Sequence, residues 1–146
     1  MLSNSLGAGA DGGLLLTQAA LESISRHVLV EAQGTLSKGG FTALRASGKI
    51  RRLLSDLTIP IQIPSSLEQL SVANASWDDG PHAVTAIRNL VTHSYESSPP
   101  VLEAWQLAQW YLELVLLRLF AFNGSYSNRT KQGKYIGQVE PVPWTA

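Results

Sequence analysis

Apolar side chains recur at helical spacing near the start of the chain. Leu14 and Leu21 fall on one side of a helix that the spacing predicts from about Gly13 to Gln33. The Gly-rich residues 1–12 have neither the basic flank nor the apolar core of a signal peptide, and we expect them to form a flexible lead-in. The folded domain is therefore expected over residues 13–146.

Glycine and proline divide the rest of the chain into four further helices. Lys38-Gly39-Gly40 predicts a break after the first helix, and Pro60 predicts the end of the second. Asp78-Asp79-Gly80-Pro81 supplies capping residues and a first-turn proline for the fourth helix. The four predicted helices lie within Phe41–Leu57, around Leu67–Leu70, from Pro81 to about His93, and within Val101–Phe122.

The tail after Asn123-Gly124 is rich in turn-forming residues and predicts an irregular segment with a short hairpin. The whole pattern predicts an all-α fold, a bundle of about five helices with an irregular C-terminal tail. Composition agrees, because 45% of the residues are apolar and only 15% are charged, which excludes a disordered chain.

The last predicted helix is the most apolar segment, yet it does not fit a membrane span. Glu103, Glu113 and Arg118 interrupt it, and each charge near the centre of a bilayer costs about 2.5–3.5 kcal/mol. We therefore expect a long core helix, no membrane partner and a cytoplasmic location.

Net charge and cysteine content narrow the function classes. Eleven basic and eleven acidic residues give a net charge of zero. This argues against a protein that binds nucleic acid through its overall charge, although a local basic patch could still bind it. The absence of cysteine excludes disulfide scaffolds, zinc–thiolate sites and cysteine nucleophiles. His27, His82 and His93 are the only histidines, and we expect neither a metal ion nor a cofactor.

The fourth predicted helix carries the candidate chemistry on its polar side. At about 100° per residue, Arg88, Asn89 and His93 lie opposite an apolar side that includes Ile87 and Leu90. Asn89 and His93 are four positions apart, so their side chains can touch. The same pattern is typical of an ordinary solvated helix face, and that alternative stays open.

These three side chains suit one reaction in particular. Histidine exchanges a proton near neutral pH, arginine binds phosphate through a planar fork of donors, and asparagine orients an imidazole or donates to an oxyanion. We therefore predict a metal-independent endoribonuclease, in which an RNA 2′-hydroxyl attacks its own phosphate and leaves a 2′,3′-cyclic phosphate. His93 would be the general acid/base, Arg88 would stabilise the phosphate, and Asn89 would orient. One histidine serves one proton transfer at a time, so we expect a homodimer with a composite active site.

Arg88 to His93 also resembles the R-x4-H signature of the HEPN superfamily. The likeness extends from about Leu14 to Trp144, through FTALRASGKIRRLLSDLTIPIQIP and YLELVLLRLFAFNGSYSNR, and is closest to the HEPN domains of ApeA-type anti-phage and abortive-infection proteins. The resemblance implies a dimeric ribonuclease of anti-phage defence or a toxin, with Arg88, Asn89 and His93 in the cleft.

Tyr95 extends the motif to R-x4-H-x-Y, which is similar to HEPN toxins whose tyrosine is adenylylated by a nucleotidyltransferase antitoxin. The resemblance thus implies that Tyr95 is either modified or supports the site. It also implies a sensor or antitoxin domain, which is either fused to this chain or separate from it. Some HEPN domains lack activity. The alternative function is therefore a catalytically silent module that binds RNA, a nucleotide or a protein partner and drives dimerisation.

Basic residues outside the motif are the candidates for contact with the RNA substrate. Lys49 and Arg52 belong to the second predicted helix, and Arg129 and Lys131 belong to the tail. A solvated helix face explains Lys49 and Arg52 equally well, so both interpretations stay open.

Overall fold

The computed structural model describes residues 2–72, 76–93, 100–131 and 138–145, with the side chains of residues 2–8 and of His93 outside that description. This part of the chain is mostly helical, and the all-α prediction is confirmed. Its helices are α1 (Leu2–Arg26), α2 (Lys38–Ala43), α3 (Ala46–Asp56), α4 (Glu68–Val72), α5 (Gly80–His93) and α6 (Val101–Leu119), with a π-helical segment (His27–Ala32) directly after α1.

The first helix is longer than the sequence predicts. It begins at Leu2, so the prediction of a start near Gly13, after a non-helical lead-in over residues 1–12, is wrong. A glycine inside a helix costs about 1 kcal/mol relative to alanine, but burial of Ala10 and Leu14 against the core favours the extension. The helical stretch ends at Gly34, whose φ of +64° is the left-handed conformation that glycine adopts most easily.

The predicted second helix is two helices. Lys38-Gly39-Gly40 does not break the chain but opens α2, because the Ser37 Oγ accepts a hydrogen bond from the Gly40 N–H at 2.9 Å and caps the first turn. Leu44 is extended, with ψ of 143°, and α3 starts two residues later. The Ser47-Gly48 pair lies inside α3 without interrupting it.

The core lies between α1, α3, α5 and α6. α6 packs along α1 and α5, and α3 packs against both of these helices. The fully buried side chains of the core include Leu14, Leu21, Ile50, Leu53, Ile87, Leu107, Tyr111 and Leu114. The predicted third and fourth helices are confirmed as α4 and α5.

The last helix, α6, is a core helix of 19 residues. Its Glu103 carboxylate accepts hydrogen bonds from the backbone N–H groups of Gln69 at 3.3 Å and Leu70 at 3.1 Å, and so caps α4 from another helix. Within the described ranges, no helix combines the length and the apolarity that crossing a bilayer requires.

The tail packs back onto α6 through its aromatic residues. Two short strands, β1 (Ser125–Tyr126) and β2 (Glu140–Pro141), pair antiparallel, with Ser125 opposite Pro141 and Tyr126 opposite Glu140. The Trp110 indole donates to the Tyr126 hydroxyl at 2.8 Å in the interior. The Trp144 indole donates to the Phe122 carbonyl at 2.8 Å. These bonds fix the position of the tail relative to α6.

Two adjacent glycines test the packing of α1 on α6. A Cβ at Gly13 would lie 2.4 Å from the Trp105 ring, whereas a Cβ at Gly12 would meet no atom within 4 Å. We expect Gly13→Ala to lower the free energy of unfolding by about 1–3 kcal/mol through overpacking. Gly12→Ala, the matched control, should raise it by about 0.5–1 kcal/mol through helix propensity. Urea unfolding measures both, and equal effects would contradict the close approach of α1 to α6.

Candidate functional site

The amino terminus of α5 is held by a bidentate ion pair. Arg51 of α3 donates from Nε to Asp79 Oδ2 at 2.5 Å and from Nη2 to Oδ1 at 3.0 Å. Asp79 is the N-cap of α5, because its Oδ1 also accepts the His82 backbone N–H at 2.9 Å. The predicted capping segment is therefore confirmed, with an arginine partner 28 positions away that local sequence patterns do not reveal.

His82 belongs to the same capping arrangement. Its Nδ1 accepts the backbone N–H of Asp78 at 3.0 Å, so one ring nitrogen is used at the start of the helix. The side chain thus reaches back to the residue before the N-cap, one position earlier than the N3 side chain of a capping box does. This placement gives His82 a structural role at the end of α5 away from Arg88.

The Asp79 carboxyl is ionised at neutral pH. Burial by itself raises its pKa, because a charge is disfavoured away from water. The hydrogen bonds from Arg51 and from the His82 backbone outweigh burial, and the pKa lies below its ordinary value. The Asp79 side chain is only 9% exposed and that of Arg51 is 35% exposed, so the carboxylate is the less accessible member of the ion pair.

Gly80 lets α5 approach α6 closely. A Cβ at this position would lie 1.7 Å from the Tyr111 hydroxyl oxygen, and the Gly80 N–H donates to the Ile61 carbonyl at 2.7 Å. Burial, together with the charge of Asp79, raises the pKa of the Tyr111 hydroxyl, which stays protonated. The contact fixes the position of α5 along α6 and thereby decides which α5 residues face outward.

Two of the predicted catalytic residues lie side by side on the outer turn of α5. The Arg88 guanidinium donates to the Asn89 Oδ1 at 3.2 Å, with Arg88 partly buried and Asn89 exposed. Thr92 donates to the Arg88 carbonyl at 2.8 Å and so faces the helix backbone. The Asn89 amide oxygen is thereby directed to Arg88, and the predicted role of Asn89 in orienting His93 stays a prediction because the His93 side chain lies outside the described residues.

A helical wheel drawn from the sequence predicts the wrong exposure for two residues of α5. Thr85, which the wheel places in the middle of the polar side, is buried, and its hydroxyl donates to the Pro81 carbonyl at 2.9 Å. Leu90, placed on the apolar side, is 38% exposed. The reason is tertiary: the first half of the helix is packed by α3 and α6, whereas Asn89 and Leu90 extend past the core.

The rest of the predicted catalytic set falls outside the description. The backbone of His93 ends α5, but its side chain lies outside the described residues, and so does Tyr95. Arg88 and His93 are five positions apart, which places their Cα atoms about 140° apart around the helix axis. Among the described residues, no group of three or more histidine, aspartate or glutamate side chains could hold a metal ion.

The residues predicted to contact RNA are mostly paired with carboxylates. Arg129 contacts Glu113 at 2.8 Å, Lys131 contacts Glu140 at 2.6 Å, and Arg52 contacts Asp56 at 3.2 Å. Lys49 instead lies over the Phe41 ring, 4.8 Å from its centroid. Within the described chain, three of the four predicted cations are therefore locally neutralised, and Lys49 is not.

An apolar groove along α6 escaped the sequence analysis. It has a volume of about 450 Å³ and is lined by Thr17, Gln109, Leu112, Glu113, Leu116, Leu117, Phe120 and Arg129. The α6 members recur at spacings of three and four residues, which are those of one helix face. The same spacing is visible in the sequence, but a long core helix does not by itself show which of its apolar faces stays uncovered.

Two comparisons with known proteins relate this chain to the same family. A family model described as the YopA C-terminal domain matches residues 1–140. The SPbeta prophage-derived uncharacterized protein YopA of Bacillus subtilis (strain 168) is 32% identical over 133 residues, which cover 87% of this chain. The match covers 30% of that relative, so the chain spans less than a third of its length. No solved structure matches the chain.

The resemblance to the HEPN superfamily and its ApeA-type members is therefore wrong. The match over residues 1–140 is to a different family. An R-x4-H spacing fixes only two residue types, and both are common on the polar side of an amphipathic helix. The roles that rested on the resemblance alone, including modification of Tyr95, lose that support.

Replacement of Asp79 by Asn tests the ion pair at the start of α5. Asparagine keeps the N-cap acceptor but removes the charge that Arg51 binds, so we expect a loss of about 2 kcal/mol in unfolding free energy at pH 7. Because the pKa of Asp79 is lowered on folding, the ion pair stabilises above the unfolded pKa of about 3.9 and is lost as pH falls further. The difference in unfolding free energy between the wild type and Asp79→Asn should therefore be smaller at pH 3 than at pH 7.

Urea unfolding at pH 7 and pH 3 measures this difference. Asp56→Asn is the control, because it removes the more exposed i, i+4 pair with Arg52 and should cost less than about 0.5 kcal/mol. An Asp79→Asn effect that is the same at both pH values would contradict an electrostatic role for Asp79.

Proposed function

This chain belongs to the family of YopA C-terminal domains, and from that premise we propose that it is an assembly module, which joins two copies of its polypeptide through the exposed face of α6. The observation that carries the proposal is the row of apolar side chains left uncovered at the carboxyl end of that helix. Phe120 is 83% exposed, and Leu116 and Leu119 are 41% and 45% exposed.

Such a row is unusual on a monomeric surface. Single exposed leucines are normal, but a contiguous apolar patch marks an interaction surface, because leaving it in water forgoes about 25 cal/mol for each Å² that could be buried. Leu112, Leu116 and Phe120 repeat every fourth residue, which is the anchor spacing of helix-in-groove recognition. A 19-residue helix is about 28 Å long, enough for a helix–helix contact over several turns.

The charges around the groove favour a second copy of this chain as the partner that binds there. Two identical surfaces meet across a twofold axis only if their charges do not repel. Glu113 at the groove edge is neutralised by Arg129 at 2.8 Å, and the chain has a net charge of zero. Two α6 faces can therefore approach in antiparallel orientation without opposing like charges from this pair. This agrees with the homodimer expected from the sequence, although not through its composite active site.

Two substitutions on α6 test the assembly. We expect the wild-type chain to sediment at twice its monomer mass of 15.8 kDa. Leu116→Asp and Phe120→Asp should each weaken dimerisation by about thirtyfold or more, because a carboxylate would be buried in the contact at a cost of about 2 kcal/mol. Analytical ultracentrifugation across a concentration series measures this.

Val72→Asp is the matched control, because Val72 is also exposed, at 87%, but lies on α4 outside the groove. It should leave the dimer unchanged. A wild-type chain that stays monomeric at every concentration, or a dimer indifferent to both α6 variants, would contradict the proposal.

Ribonuclease activity is a second candidate, favoured by the pairing of Arg88 with Asn89 on the outer turn of α5. An arginine already oriented by an amide presents its remaining donors in a fixed direction, which suits a phosphodiester. The general acid/base in this proposal is still His93, acting on the RNA 2′-hydroxyl without a metal ion. The proposal rests on this side-chain chemistry and not on any family relationship.

The ribonuclease candidate has its own test. RNA incubated with the protein in EDTA should give products that end in 2′,3′-cyclic phosphate, and Arg88→Ala should slow their formation by about a hundredfold or more, as loss of one oxyanion donor does. His93→Ala should abolish it, whereas Arg45→Ala, an exposed arginine before α3, should not change it. Cleavage that is absent, or unaffected by Arg88→Ala, would exclude this candidate.

A further inference from the structure

Three basic side chains from three different parts of the fold line one small cavity. Arg26 ends α1, Lys38 begins α2, and Lys49 lies in the first turn of α3. The cavity has a volume of about 170 Å³ and is completed by Val30, Phe41 and Thr42. We propose that this cavity is a binding site for a phosphoryl group, which the three cations would neutralise and hydrogen-bond.

The three cations have no carboxylate partners among the described residues, and this sets them apart from their neighbours. Arg51 and Arg52, on the same helix as Lys49, are paired with Asp79 and Asp56. Cations gathered around one cavity repel each other, and an anion bound between them would relieve that repulsion. The described wall of the cavity contains no carboxylate, which leaves room for an anion from solution.

The two carboxylates nearest to Arg26 along the chain both contact other residues. Glu22, four positions before Arg26 on α1, accepts a hydrogen bond from Gln18 Nε2 at 3.4 Å. Glu31, in the π-helical segment next to the cavity, contacts the His27 ring at 3.0 Å, four positions earlier. Glu31 is not part of the cavity wall. Consequently, the two acidic residues nearest to Arg26 in sequence, Glu22 and Glu31, are both directed to other partners.

The π-helical segment is a second, independent feature of this place in the fold. π-helical turns are rare and occur frequently at functional sites, because the extra residue widens the turn and redirects its side chains. Here the segment follows Arg26 directly and contributes Val30 to the cavity wall. The widened turn therefore lies beside the cations at the junction of α1 and α2.

The chemistry of the wall favours a terminal phosphoryl group. The Arg26 guanidinium offers a planar fork of donors, and the two lysines add compact charges. The Lys49 ammonium is held 4.8 Å from the centre of the buried Phe41 ring, which limits its freedom. About 170 Å³ accommodates a small anionic group but not the width of a nucleic-acid duplex. The group could belong to free phosphate or to a nucleotide 5′-phosphate, and titration separates these two sources.

Calorimetric titration at constant ionic strength tests the site. We expect inorganic phosphate and 5′-AMP to bind saturably with one site per chain, and adenosine to show no binding. AMP that binds more tightly than phosphate would identify a nucleotide site, and equal affinities would identify a site for free phosphate. Both results support the proposal.

Variants connect the binding to the cavity. Arg26→Met and Lys38→Met, both at exposed positions, should each weaken phosphate and AMP binding by about tenfold, the effect of losing roughly 1.4 kcal/mol of charge-assisted hydrogen bonding. Arg45→Met is the matched control, because Arg45 is an exposed arginine directly before α3 and lies outside the cavity wall, and it should change binding by less than twofold. Failure of phosphate and AMP to saturate, or equal binding by all three variants and the wild type, would overturn the proposal.

Discussion

The start of α5 is the constraint on which the arrangement of this domain depends. Gly80 approaches α6 so closely that a single methyl group would collide with the Tyr111 hydroxyl. The Asp79 carboxylate beside it binds Arg51 of α3 and caps α5 at the same time. One short segment thus locates three helices relative to one another. Because the helix cannot slide or rotate there, the outward direction of every later α5 side chain follows from this contact.

Helix type and order could be read from the sequence because burial imposes a period of 3.6 residues on apolar positions. The third and fourth predicted helices, the capping segment before α5 and the long last helix follow from that rule. Its errors occur at glycines, where local propensity and tertiary packing disagree. Glycine-rich residues near Gly12 and at Lys38-Gly39-Gly40 look like breaks, yet both stretches are helical. Packing against α6 and a serine cap provide the stabilisation that propensity does not.

The candidate sites were harder to predict than the fold. A helical wheel predicts that Arg88 and Asn89 share a polar side, and they do contact each other. It cannot show that Thr85 is buried or that Leu90 lies beyond the core, since those depend on what α3 and α6 cover. The proposed α6 interface and the phosphoryl cavity occupy different parts of the described structure and share no lining residue. The proposed pairing through α6 would therefore leave the residues that line the cavity outside the contact.

The sequence by itself determined the class of fold, the main helical segments and the residues able to cap them, because these follow from periodicity and from local hydrogen bonding. Tertiary structure decided which charges pair across long stretches of the chain. Arg51 finds Asp79 across 28 positions and Arg129 finds Glu113 across 16, whereas Arg26, Lys38 and Lys49 meet around a cavity without an acidic partner among the described residues. Charge pairing acts over a few ångströms in space, so apart from i, i+4 pairs within one helix, such as Arg52 with Asp56, distance along the chain carries almost no information about it.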